Sequence, residues 1–121
     1  MIKLSFCLRR LPHLSREDFQ TYWREQHAPL VAKHAKTLGI LRYVQVHAGH
    51  DALNAGIAAS RGAPDAYDGV AELWFESADA MAANTSEAAA KAGAELLADE
   101  KKFIDLANSP LWFGDENVVV G

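Results

Sequence analysis

Histidine and proline interrupt what otherwise reads as an amphipathic helix in the stretch FQTYWREQHAPLVAKH, residues 19–34. An imidazole turned toward a protein interior can titrate near neutral pH and pass a proton as general acid or base. Spacings of three and four put Phe19, Trp23, His27, Leu30, His34 and Leu38 on one face, so His27 points where the core should be. An unpartnered buried imidazole costs about 1–3 kcal/mol, so Tyr43, His47, Glu72 or a water is expected to answer it. Pro29 removes a backbone donor and clashes with the carbonyl of Glu25, which predicts a bend beside His27. Two readings stay open: a kinked pocket wall carrying a proton-transfer histidine, or a core histidine filling a defect where the helix wraps a sheet.

Other chemistry finds little support in the sequence. His27 and His34 stand two turns apart, about 10 Å, too far to share an ion. His47, His50 and Asp51 could form only a shallow cluster, and no HExxH, CxxC or EF-hand spacing occurs, so no metal is expected. There is no GxSxG, P-loop or dinucleotide fingerprint, and no cofactor is expected. Cys7 is the single cysteine; it can form no internal disulfide and reads as a small buried strand residue, with the cytoplasm as default compartment. The net charge of −4 speaks against sequence-independent nucleic-acid binding. No segment approaches the roughly 20 apolar residues that span a bilayer, and the opening MIKLSFCLRRLPHL is too short and strand-like in its apolar run for a signal peptide.

These residues need elements to hold them. Ile2, Leu4, Phe6 and Leu8 alternate with polar or small partners, the period of a half-buried strand that Pro12 closes. Ser15 caps the helix that follows, with Asp18 as its capping-box partner, and Gly39 ends it. Residues 41–47 form a second strand with Tyr43, Gln45 and His47 on one face. Residues 48–67 read as a loop of about twenty residues with at most one helical turn, a length often used for lids and binding loops. GVAELWFES is a third strand. Ser77 then caps an alanine-rich helical region running to about Leu106, broken at Asn84-Thr85-Ser86 and re-capped by Ser86, before ENVVV closes the sheet. The order βαββαβ in one domain, residues 1–121, predicts a ferredoxin-like α+β fold: a four-stranded antiparallel sheet with helices on one face. Both sheet faces read as largely apolar, so a homodimer through the open face is expected.

The string LRRLPHLSREDFQTYWREQHAPLV, followed by LRYVQVH and AELWFES, resembles the EthD-like family. The specific part runs from Phe19 to Leu30: Tyr-Trp on a capped helix, then His-x-Pro-Leu, with Arg-Tyr on the next strand. The resemblance implies a dimeric α+β barrel, two ferredoxin-like subunits pressing their sheets together, with ligands between helices and sheet. The founding type of that family accompanies an oxygenase system that degrades a fuel ether. Related barrels include a methylmuconolactone methylisomerase, cofactor-free monooxygenases, polyketide cyclases and haem-degrading enzymes. The methylisomerase pattern puts its helix histidine at His27 and its strand tyrosine at Tyr43, but its strand cysteine falls at Leu73, which argues against the same chemistry.

The expected activity is therefore cofactor-independent lyase, isomerase or monooxygenase chemistry on a small apolar oxygenated or cyclic compound, in a catabolic pathway. His27 would move the proton, Tyr43 would hydrogen-bond a carbonyl or enolate oxygen, and Glu72 or His47 would orient the imidazole. Trp23, Leu30, His47 and Phe75 would contact the substrate. The alternative is a non-catalytic ligand-binding or accessory protein of an oxygenase system, in which His27 and Pro29 only shape the subunit. A cavity beside His27 of roughly 300 Å³ separates the two from a filled core.

Overall fold

The computed structural model describes residues 1–121. Strand β1 (Ile2–Leu8) leads into helix α1 (Arg16–Tyr22), where Ser15 Oγ accepts from the Asp18 N–H at 3.0 Å and Glu17 and Asp18 face the positive end of the helix. The chain then widens into a π-helical turn over Trp23–His27, with the Ala28 N–H reaching back to the Trp23 carbonyl, before helix α2 (Ala28–Leu38). Pro29 thus occupies the first turn of α2, and the clash expected at Glu25 is met by a wider turn at the junction. Gly39, at φ 74°, ends α2 in the left-handed conformation, with Ile40 N–H bound to the Ala35 carbonyl.

Strands β2 (Arg42–His47), β3 (Gly69–Phe75) and β4 (Leu111–Gly114) complete an antiparallel sheet in the order β2-β3-β1-β4. Its register sets Phe6 against Ala71 and Leu111, and Tyr43 against Leu73, all on the helix-covered face. Helix α5 (Glu87–Glu100) lies beside α2 on that face, tied by His34 Nε2 to Glu95 at 2.8 Å. Short α4 (Ala78–Ala83) precedes it, and Ser77 and Ser86 cap the pair as expected. Between the layers Phe6, Leu8, Phe19, Trp23, Ala71, Phe103 and Ile104 form the core, with Phe103 ringed by Phe19, Tyr22 and His27 at 5.0–5.5 Å between centroids. Each fully buried side chain of this kind is worth about 1.5–3 kcal/mol.

Three expectations from the sequence are corrected here. Residues 51–61 form a helix, α3 (Asp51–Arg61), in place of a loop. None of its residues is buried: Leu53 and Ile57, four apart on either side of Gly56, stand exposed, and alanines, the Gly62 cap at φ 59° and a bidentate Arg16–Asp51 pair hold the helix. The last strand is LWFG, where Leu111 and Phe113 meet Phe6 and Leu4, whereas ENVVV lies exposed beyond it. Lastly, the open sheet face is charged at its middle. Lys3 and Arg42 lie 4.8 and 4.7 Å from the Trp74 ring, and Lys3 pairs with Glu72.

Gly69 marks the tightest packing. A Cβ there would stand 2.7 Å from the Val46 carbonyl and collide with the six-membered ring of Trp23. Gly69→Ala should cost about 3 kcal/mol in urea unfolding. A Trp23→Phe background, which removes the colliding ring atoms, should recover part of that cost; strict additivity of the two would locate the clash elsewhere.

Candidate functional site

A cavity of about 270 Å³ lies between α1–α2, α5 and the sheet, walled mainly by apolar side chains such as Leu4, Phe6, Val31, Leu73, Phe75 and Leu96. His27, Tyr43 and Glu100 bring the ionisable groups to this wall. The π turn governs which helix residues arrive there. By holding positions four apart in line, it points Trp23, His27 and Val31 inward.

His27 is answered from helix α5 and not from a strand. Its Nδ1 lies 2.7 Å from Asp99 Oδ2 on α5, and the same carboxylate accepts the Tyr22 hydroxyl at 2.6 Å. Asp99 is itself buried, with Lys102 Nζ 3.6 Å away at the rim. Burial acts to raise the Asp99 pKa, but the hydrogen bonds from Tyr22 and His27 and the nearby cations outweigh it and hold the carboxylate below its ordinary value. With Nδ1–H donated to that carboxylate, the His27 lone pair is on Nε2, the nitrogen left for the cavity. Burial lowers the His27 pKa against the opposing pull of Asp99, which keeps the ring neutral at pH 7.

Glu100, next along α5, sits in the apolar wall with no hydrogen bond to offset its burial. Its carboxyl is pushed up to about 7, first by desolvation and then by the charge of Asp99. Tyr43 accepts a hydrogen bond from Gln45 Nε2 at 2.9 Å, and burial raises its pKa. The arrangement offers a base (His27), a phenolic donor (Tyr43) and a carboxyl that can carry a proton near neutrality (Glu100) around one apolar space.

Of the residues singled out from the sequence, His27, Tyr43, Trp23 and Phe75 all reach this wall. Glu72 does not: it faces the open side, paired with Lys3, because β3 alternates and Ala71 and Leu73 take the inner positions. Leu30 is displaced by Val31 through the π turn. His47 packs on the far side of Trp23, 4.4 Å between rings, with Nε2 2.7 Å from Gln45 Oε1. It faces a separate hollow beside His50, Asn54 and Tyr67. Asp99 and Glu100 escaped the sequence reading. The signal was present in ADEKKF, where two adjacent carboxylates end an apolar helix, but consecutive positions on a helix do not normally share a face.

An EthD-domain model matches residues 11–107. The chain belongs to the EthD family. Solved structures of like fold include an EthD-family protein of Bacillus halodurans, at 19% identity and TM-score 0.61 over 97% of this chain and 99% of that one. An EthD-like protein of Ralstonia eutropha matches at 20% identity and TM-score 0.59, covering 98% and 92%. HapK from Hahella chejuensis matches at 12% and 0.59, covering 100% and 96%. No curated protein matches the chain. For this EthD chain, no helix is long and apolar enough to cross a membrane.

The buried groups predict opposing pH effects. His27 has a depressed pKa in the fold, so its contribution is complete above the unfolded histidine value and is lost as pH falls below it. Glu100 is raised, so its protonated form favours the fold at low pH, and that contribution fades as pH rises from about 4.5 to about 7. Glu100→Gln should therefore gain stability over wild type between pH 5 and pH 8, by about 2 kcal/mol in urea melts at each pH. A constant difference would mean that Glu100 is solvated. In NMR titrations His27 should titrate below the ordinary histidine value, and lower still in Asp99→Asn; a higher value in that variant would remove Asp99 as its partner.

Proposed function

We propose that this EthD-family chain binds a small, mostly apolar, oxygenated or cyclic compound in the cavity beside His27 and moves a proton on it, with cofactor-independent isomerase, lyase or monooxygenase chemistry as the class. The observation that carries this reading is the 2.7 Å contact of Asp99 with His27 Nδ1, which leaves the imidazole neutral, oriented and with a free Nε2 on an apolar cavity wall. A purely structural histidine would have both nitrogens engaged or packed away.

The chemistry follows from the positions. A C–H next to a ligand carbonyl gives its proton to His27 Nε2, the bonding pair moves onto the carbonyl oxygen, and Tyr43 donates a hydrogen bond to the enolate that forms. Asp99 steadies the imidazolium through Nδ1. Glu100, protonated for part of the time near pH 7, can return a proton to a second carbon and so complete an isomerisation, after which the proton held on His27 Nε2 passes to the Glu100 carboxylate and resets the pair. The apolar wall keeps water from competing for the enolate. A volume near 270 Å³ suits a compound of one or two rings.

The assembly we favour is a homodimer through the open sheet face. Exposed Val46 and Trp112 there support it, at the flanks of the charged Lys3–Glu72 centre.

α-Tetralone, a bicyclic ketone with exchangeable hydrogens beside its carbonyl, is a suitable probe. Wild type should accelerate exchange of those hydrogens for solvent deuterium, read by proton NMR. His27→Ala should slow the exchange by about 10²–10⁴-fold while retaining the ligand. Bound tetralone whose exchange ignores His27 would end the catalytic reading and leave a ligand carrier.

A further inference from the structure

We propose that Gln45 is a positioning residue that makes Tyr43 a one-way hydrogen-bond donor into the cavity. The site would then select compounds with a carbonyl or enolate-type oxygen there over their hydrocarbon counterparts. This rests on the cavity being the ligand site, and it adds what the site reads in a ligand.

A backbone carbonyl can only accept a hydrogen bond. The Trp23 carbonyl lies 3.0 Å from one end of the Gln45 amide, so that end is the NH₂ group. Its second hydrogen meets the Tyr43 oxygen at 2.9 Å, so Tyr43 accepts there. The other end of the amide is then oxygen, and it faces His47 Nε2 at 2.7 Å, which makes His47 the donor. Neutral His47 therefore holds its proton on Nε2, and its buried Nδ1 is a lone pair with no donor to meet. With its oxygen already accepting from Gln45, Tyr43 keeps its own proton for the cavity it lines, where the hydroxyl donates to no protein group.

The backbone makes this chain of assignments possible. Because Trp23 begins the π turn, its carbonyl accepts from Ala28, five residues on, and still presents itself to Gln45. Every link runs the same way, from His47 through Gln45 to Tyr43. A ligand atom opposite the tyrosine must accept; a hydroxyl held there as donor, or a methylene, leaves the phenol proton unsatisfied in an apolar wall.

The test compares α-tetralone with tetralin, its hydrocarbon counterpart, by calorimetry on the full chain. Wild type should bind the ketone about tenfold more tightly, and Tyr43→Phe should remove the preference. Gln45→Glu replaces the NH₂ group with an acceptor and turns the tyrosine proton away. It should remove the preference while tetralin affinity stays the same, and should move the carbonyl stretch of bound tetralone up to its Tyr43→Phe frequency. Equal binding of the two compounds by wild type, or a preference that survives in Gln45→Glu, overturns the proposal and leaves the cavity reading intact. Failure of both compounds to bind wild type overturns the cavity reading and the proposal with it. Nitrogen-15 spectra of wild-type His47 give a measurement independent of how the variants fold. The Nε2–H tautomer is expected, and the Nδ1–H tautomer would break the chain of donors at its first link.

Discussion

Asp99 is the point at which three parts of this structure are joined. Its carboxylate ends α5, accepts the Tyr22 hydroxyl from α1 and holds His27 on the π turn, so one buried charge fixes the helix layer against itself. A buried carboxylate is tolerated only with its lone pairs met by donors, and here two arrive from the same helical segment. The cavity depends on this arrangement. Without a fixed α5 neither Glu100 nor Leu96 would stand opposite Tyr43 and Leu73. The same bond that stabilises the layer also decides which imidazole nitrogen faces the ligand space.

The π turn is the backbone counterpart of that bond. An ordinary α-helix through Trp23–His27 would turn His27 about 40° further round than Trp23, still on the buried face but out of line with it. The wider turn keeps the line, absorbs Pro29 at the start of α2 and frees the Trp23 carbonyl for Gln45. Such turns are uncommon and gather at functional sites. In this chain the turn serves both walls of the cavity, through His27 on the helix side and through Gln45 and Tyr43 on the sheet.

The two faces of the sheet divide the labour by charge. Inside, Ala71, Leu73 and Phe75 keep β3 apolar and the dielectric low, which is why a single carboxyl, Glu100, shifts so far. Outside, Glu72 pairs with Lys3, and Trp74 on the same strand is covered by Lys3 and Arg42. One strand thus supplies a site wall and a charged surface in alternation, and a register slip of one residue would destroy both.

The sequence alone determined the sheet strands up to β3, the capped helix starts, the ferredoxin-like order and the inward turn of His27. All of these follow from local periodicity and capping, which are written in neighbouring residues. The same helical period put Trp23 beside His27, whereas Tyr43 came from the family resemblance and its sheet face stayed open until the layers were packed. The histidine's partner was decided by tertiary structure: Asp99 lies 72 residues away, and no local pattern links the two. Tertiary packing also moved Leu30 off the wall, because one wider turn changes the phase of everything after it. It assigned Glu72 to the opposite face as well, although the alternation of β3 was legible, because only the packed layers reveal which side the helices cover. Helix α3 lay beyond a reading based on burial, since it buries nothing. Periodicity tells which residues share a face; which faces meet, and what charge is thereby buried, is a property of the folded chain.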